Sequence, residues 1–143
     1  MDDKIHIGKK INTFSHKLKR RIGKEAAKYG VTSVQGRILG FVYCQSDKKD
    51  IFQKDIEVDL DIRRSSVTSV LQLMEKNGYI KRVSVCEDAR LKKIILTEKG
   101  LEIQKNVYNC ILEIEKSLRE ELSNAEMNMF VDLIDRLSKK ITD

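Results

Sequence analysis

The chain has 143 residues, 28 Lys plus Arg against 22 Asp plus Glu for a net charge of +6, seven glycines and no proline. One domain's length argues against a multidomain enzyme, and 41% apolar content with 35% charged residues argues against both a disordered chain and a membrane-embedded one. The lack of proline leaves long helices uninterrupted, and the basic balance favours an anionic partner such as nucleic acid.

Ile7, Ile11, Phe14, Leu18 and Ile22 recur every three or four residues, interleaved with Lys9, Lys10, Lys17, Lys19, Arg20, Arg21 and Lys24. This predicts an amphipathic first helix with a basic outer face, ended by Gly30. Thr32 and Gln35 have capping-box spacing and open a second helix through Ile38, Leu39 and Val42 to about Tyr43. A polar loop over 46–49 follows. Asp50 and Gln53 repeat the capping spacing and predict a short third helix over about 51–58, packed through Phe52, Ile56 and Leu60.

A fourth helix is expected over 63–77, stopped by Gly78, and two short helices joined by so few residues suggest a helix-turn-helix. Residues 80–85 and 92–96 read as strands of a hairpin whose tip is the charged run 86–90. Thr97 caps a long fifth helix to about 121, carrying Leu101, Val107, Ile111, Ile114 and Leu118, and Ser123 with Glu126 opens a sixth. There Met127, Phe130, Ile134, Leu137 and Ile141 recur at 3, 4, 3 and 4, a narrow seam that needs a partner helix.

In the fourth helix, 100° per residue gathers Val67, Val70, Leu71 and Met74 on one face and Ser65, Thr68, Ser69, Gln72 and Lys76 on the other. Short polar side chains are mediocre helix formers, but they let a helix backbone lie deep in a DNA major groove. Arg63 and Arg64, with Ser66, stand at the helix start, placed for phosphates or a guanine edge; a solvated, Ser-capped helix entrance is the plainer alternative. A helix-turn-helix followed by a hairpin bearing Asp88, Arg90, Lys92 and Lys93 is the order of a winged DNA-binding domain. Arg90 is the candidate for the minor groove and Asp88 the candidate acceptor that steadies it, unless both are ordinary turn residues.

These segments resemble the multiple-antibiotic-resistance regulator (MarR) family. The resemblance runs through Val31-Thr-Ser-Val-Gln35 into Ile38-Leu39, then Ile62-Arg-Arg-Ser-Ser-Val-Thr68, then Leu73-Met-Glu-Lys-Asn-Gly78-Tyr-Ile-Lys-Arg82, and closes with Asp88-Ala-Arg90 and Ile95-Leu96-Thr97-Glu98-Lys99-Gly100. It implies one domain over 1–143, mostly α with a β-hairpin wing: a winged helix-turn-helix core over about 31–100 between dimerisation helices over about 1–29 and 101–143. It further implies a cytoplasmic homodimer that binds pseudo-palindromic double-stranded DNA, usually as a repressor, without a cofactor, and is relieved by a small amphipathic or phenolic effector. Ile7, Ile11, Phe14 and Leu18 with Met127, Phe130, Ile134, Leu137 and Ile141 would form the dimer contacts. Many members carry basic residues where this chain has Ser69 and Leu73, so their base contacts do not transfer.

Tyr29, Tyr43 and Tyr108 could line an effector crevice, although buried core aromatics are the commoner use. The family's peroxide-sensing branch places a cysteine in the first helix, where this chain offers Phe14, Ser15 and His16. Cys44 and Cys110 read as core, and Cys86 in the wing as the one candidate thiol for a redox switch. Three widely spaced cysteines and no apolar leader after Met1 fit a reducing cytoplasm. His6 and His16 are too far apart to share a metal, and no catalytic grouping stands out. The competing readings are a winged-helix protein-interaction module without DNA binding, and the Cys86 switch.

Charge is segregated along the chain. Residues 1–30 carry +6, 31–62 carry −2, 63–100 carry +5 and 101–143 carry −3. The basicity thus falls into two blocks, the first helix and the recognition helix with its wing.

Overall fold

The computed structural model of the chain describes residues 4–85 and 87–142; Cys86 lies outside the described residues. The elements run α1 (Ile7–Ala27), α2 (Ser33–Gln45), α3 (Gln53–Leu60), α4 (Arg64–Lys76), β1 (Ile80–Val85), β2 (Asp88–Leu96), α5 (Glu98–Glu120) and α6 (Asn124–Lys140). Among the described residues the chain is mostly helical with a single antiparallel hairpin, as expected. No helix among the described residues is long and apolar enough to cross a membrane.

Two of the helix starts are the expected capping boxes. Gln35 N donates to Thr32 Oγ1 at 3.2 Å and Thr32 N to Gln35 Oε1 at 2.9 Å. Ser123 and Glu126 repeat the exchange at 2.9 and 3.1 Å, and the Ser123 N–H holds the Glu126 carboxyl below its usual range. Gly30 and Gly78 both sit at positive φ (81° and 79°), ending α1 and α4 as the sequence suggests.

The third helix starts later than expected. Asp50 is not its cap: the Ile51 carbonyl accepts from Ile94 N at 2.7 Å, a bond to β2, and the helix starts only after the extended Phe52. The first turn is closed instead by Asp55, whose carboxylate accepts from Phe52 N at 2.9 Å. Asp50 turns to Lys93, with Nζ–Oδ1 at 3.7 Å. Burying Ile51 against the hairpin outweighs the local capping signal.

The chain forms two compact units, residues 1–110 and 111–143. The fully buried side chains lie in the first: Ile38, Leu39 and Val42 from α2, Ile51 and Ile56 around α3, Val67, Leu71 and Met74 from α4, Ile80 from β1 and Val107 from α5. Ala26 is the only buried residue of α1, and α6 in the second unit buries none.

Two readings of the sequence are corrected. Cys44 is exposed and Cys110 half-buried rather than core; α2 turns Ile38 and Val42 inward, and at 100° per residue Cys44 projects from the far side. Tyr29, Tyr43 and Tyr108 are 37, 49 and 38% exposed, and the buried tyrosine is Tyr79. Tyr79 donates its hydroxyl to the Gly30 carbonyl at 3.2 Å, and its own carbonyl accepts from Thr97 N at 3.2 Å. Thr97 Oγ1 donates to the Gly78 carbonyl at 2.5 Å and accepts from Gly100 N at 3.0 Å, capping α5.

At Gly100 a Cβ would collide with the Tyr79 carbonyl oxygen, whereas at Gly40 it would meet nothing. Gly100→Ala should therefore destabilise the fold by about 2–3 kcal/mol, as overpacking against rigid backbone does. Gly40→Ala, in a helix interior, should stabilise it by about 0.5–1 kcal/mol. Urea unfolding of the two variants checks both signs. Near the end of α1, Arg21 and then Lys28 (Nζ–Oε2 3.0 Å) bond to Glu25 and lower its carboxyl from 4.5 to about 2. A depressed folded value means that the contribution is complete above pH 4.5 and is lost as pH falls toward 2. Helical signal should decline over that window in the wild type, and Glu25→Gln should remove that component from the acid titration.

Candidate nucleic-acid interface

The site is built on the α3–α4 turn. Asp61 ends α3 in the left-handed conformation at φ 52°, with its N–H directed to the Glu57 and Val58 carbonyls, and Ile62 N donates to the Glu57 carbonyl at 3.2 Å. Asp tolerates this backbone better than most residues with a Cβ. Arg63 is extended and precedes α4 as its N-cap residue; its guanidinium only donates and so cannot cap the helix N–H groups. The helix begins one residue later than the sequence suggests.

Val67, Leu71 and Met74 of α4 are buried and Val70 is half-buried. Arg63, Arg64, Ser65, Ser66, Ser69, Gln72 and Lys76 are exposed, together with Leu73 at 47%. Sequence reasoning leaves Leu73 out of the site, although an apolar side chain at the edge of a polar face suits a thymine methyl. Thr68 is half-buried and its hydroxyl is engaged: it donates to the Arg64 carbonyl at 2.8 Å and accepts from Gln53 Nε2 at 2.7 Å. Ser69 Oγ donates back to the Ser65 carbonyl at 3.2 Å. Along the sequence Gln53 shows only the spacing of a cap; no local pattern reports a bond to a residue fifteen positions away.

The wing departs from the expected hairpin. β2 begins at Asp88 rather than at 92, so Asp88 and Arg90 are strand residues and not a loop. The register runs Ile80↔Leu96 to Ser84↔Lys92, then jumps to Val85↔Asp88. Residues 89–91 therefore bulge from the ladder at the tip, and a bulge re-aims the side chains it carries. Arg90 is 94% exposed, and Asp88 Oδ1 accepts from its backbone N at 3.0 Å and from Nε at 3.5 Å. The carboxylate holds the loop and the guanidinium together.

Lys92 and Lys93 point to opposite sides of the strand. Lys92 is exposed, while Lys93 is half-buried and paired with Asp50, away from the tip. Among the described residues no carboxylate lies within ion-pair distance of Arg63, Arg64, Lys76 or Lys92. These four cations and the outward Arg90 are the positive charge that the expected site residues offer. At the hairpin base, Arg82 Nη2 reaches Glu75 Oε1 at 3.5 Å and links the wing to the end of α4.

A cavity of about 330 Å³ opens beside Lys93, lined by Tyr43, Lys49, Asp50, Ile95 and Leu101 among others. The seams of the sequence reading are uncovered: Ile7, Ile11 and Phe14 are 60, 43 and 48% exposed, and Phe130, Leu137 and Ile141 are 50, 41 and 82% exposed. Leu18, Met127 and Ile134 are half-buried.

Known proteins share this architecture. The MarR family profile matches residues 29–91, from the end of α1 to the wing tip. The transcriptional regulator PapX of Escherichia coli is 27% identical over 115 residues, which cover 80% of this chain and 70% of that protein. The uncharacterized transcriptional regulator YwoH of Bacillus subtilis is 23% identical over 128 residues, 90% of each chain. The solved structure of a Staphylococcus aureus MepR–DNA complex aligns with a TM-score of 0.90 at 21% identity, covering 99% of this chain and 100% of that one. Residues 29–91 thus match the MarR family, and the chain as a whole is similar to transcription regulators.

Proposed function

We propose that the chain is a homodimeric, sequence-specific DNA-binding regulator that acts in the cytoplasm as a repressor on pseudo-palindromic operators and responds to a small amphipathic or phenolic effector. The observation that carries the reading is the exposed Ser/Gln face of α4, flanked by unpaired Arg63, Arg64 and Lys76, on the same unit as a wing whose Arg90 is held outward by Asp88. A helix faced with short polar groups enters a major groove, and a basic wing follows the backbone or the minor groove. In the dimer, two such helices read half-sites about one helical turn, roughly 34–36 Å, apart.

Dimerisation is supported by the uncovered apolar seams, above all by α6, a 17-residue helix with no buried residue. Exposed apolar surface on this scale is normally covered by another chain. An effector reading is supported by the cavity beneath Tyr43, which touches both the approach to α3 and β2. A ligand there would act only through a difference in affinity between two arrangements of the DNA-binding elements. MepR and a MarR mutant from Escherichia coli are relatives of the same fold solved with DNA.

Arg90→Ala should weaken binding to all duplexes alike and reduce the slope of log affinity against log salt by about 0.9, the share of one phosphate contact. Fluorescence anisotropy at several salt concentrations reads both, and an unchanged slope with unchanged affinity removes the wing from the interface. Phe130→Glu should convert a dimer to a monomer in light scattering and weaken operator binding with it. A wild-type chain that is monomeric and indifferent to duplex DNA would instead favour the protein-interaction module.

A further inference from the structure

Charge and periodicity assign Gln53, the first residue of α3, no part in recognition. Its Nε2 donates to Thr68 Oγ1 at 2.7 Å and is directed at the Arg64 carbonyl oxygen at 3.4 Å, while Thr68 Oγ1 donates to that same oxygen at 2.8 Å. A carbonyl oxygen only accepts, so the hydroxyl proton is committed to Arg64 and the hydroxyl faces Gln53 as an acceptor. That requirement also sets which end of the carboxamide turns toward α4. Three polar atoms close a ring between the first residue of α3 and the first turns of α4.

The covalent connection of the two helices is the turn over 61–63, at the other end of α3, about 10 Å from Gln53 at 1.5 Å rise per residue. Apolar packing on the inner side of α4 resists separation but is non-directional. The Gln53 ring adds a directional attachment at the opposite end of α3, and attachment at both ends fixes the angle at which α4 lies across α3. Thr68 borders the exposed face, with Ser65, Ser69 and Gln72 beside it and outside the ring.

We propose that Gln53 is a positioning residue for base recognition, acting through Thr68 to set the pitch at which the Ser65, Ser69 and Gln72 face is presented. It governs discrimination between sequences, while the sequence-independent attraction to phosphates comes from Arg63, Arg64, Arg90 and Lys92. The inference rests on the DNA-binding reading and adds a role to it. Thr68 in turn cannot donate to a base edge while its proton is held by Arg64.

The test uses the full chain and two labelled duplexes of equal length, one selected from a random library by the wild-type protein and one of random sequence. Gln53→Ala and Thr68→Val should each weaken the selected duplex about 10-fold, as the loss of one hydrogen-bond unit does. For the Gln53 variant, affinity for the random duplex and the salt slope should stay at wild-type values. Thr68→Ser keeps the hydroxyl and should keep wild-type discrimination, and the double variant Gln53→Ala with Thr68→Val should lose no more than one single variant. Gln53→Met keeps a side chain of similar length without donor or charge, and replaces Gln53→Ala if that variant melts early.

Wild-type discrimination in the Gln53 variant, or an additive loss in the double variant, overturns the proposal. So does a loss in Thr68→Ser with retention in Thr68→Val, which would make the methyl a direct base contact. A wild-type protein that binds both duplexes alike defeats the DNA-recognition reading itself, and this role with it.

Discussion

Much of the first unit depends on the close approach of Gly100 to the Tyr79 carbonyl. That carbonyl, the Gly78 carbonyl and the Tyr79 hydroxyl together engage Thr97 at the head of α5 and Gly30 beyond the end of α1. Lys99 closes the same junction: its ammonium donates to the Asn77 carbonyl at 3.2 Å and lies 5.1 Å from the centre of the Tyr79 ring. A cation there suits the negative end of α4 as well as the aromatic face. Three helices that are distant in sequence therefore meet at one residue, and α4 ends there. Any side chain at 100 would push α5 off this backbone and disturb the end of α4.

Polar bonds at that junction and apolar burial in the core perform different tasks. The core of α2, α3, α4 and β1 holds the unit together, but burial alone leaves helix angles soft. Directional contacts set them: Gln53 to Thr68 between α3 and α4, Arg82 to Glu75 between β1 and α4, and Ile94 to Ile51 between β2 and the approach to α3. Each joins α4 or the hairpin to its neighbour. Lys93 belongs with these and not with the wing tip, because its pairing with Asp50 steadies the same approach to α3.

Element order, fold class and most helix ends were legible in the sequence because they rest on local signals. The Thr32–Gln35 and Ser123–Glu126 boxes and the glycines at 30 and 78 act within four residues of where they are written. The start of α3 was not legible, because there a local signal met a long-range one: Asp50 has the spacing of a cap, but Ile51 is held by Ile94. The wing was legible as a hairpin but not in its register, since a three-residue bulge leaves no periodic trace. Tyr79 and Gln53 escaped for a related reason. Their partners lie 49 and 15 residues away, beyond the reach of any pattern along one element.

The polar face of α4, proposed to enter DNA, also changes in character once its hydroxyls are followed. Composition suggests a surface rich in donors, yet Thr68 and Ser69 return their protons to the carbonyls four residues back. Such back-bonding is the usual fate of Ser and Thr inside a helix, and it leaves them as small acceptors and contact surfaces. The strong donors that remain on α4 and its N-cap are Arg63, Arg64, Gln72 and Lys76, with Leu73 adding an apolar edge. Charge at the helix entrance and shape along its middle would then divide the work: the arginines reach phosphates or guanine, and the small side chains allow close approach. The pitch of α4 matters more under that division, since close contact along a helix fails at smaller misalignments than a long, flexible arginine tolerates.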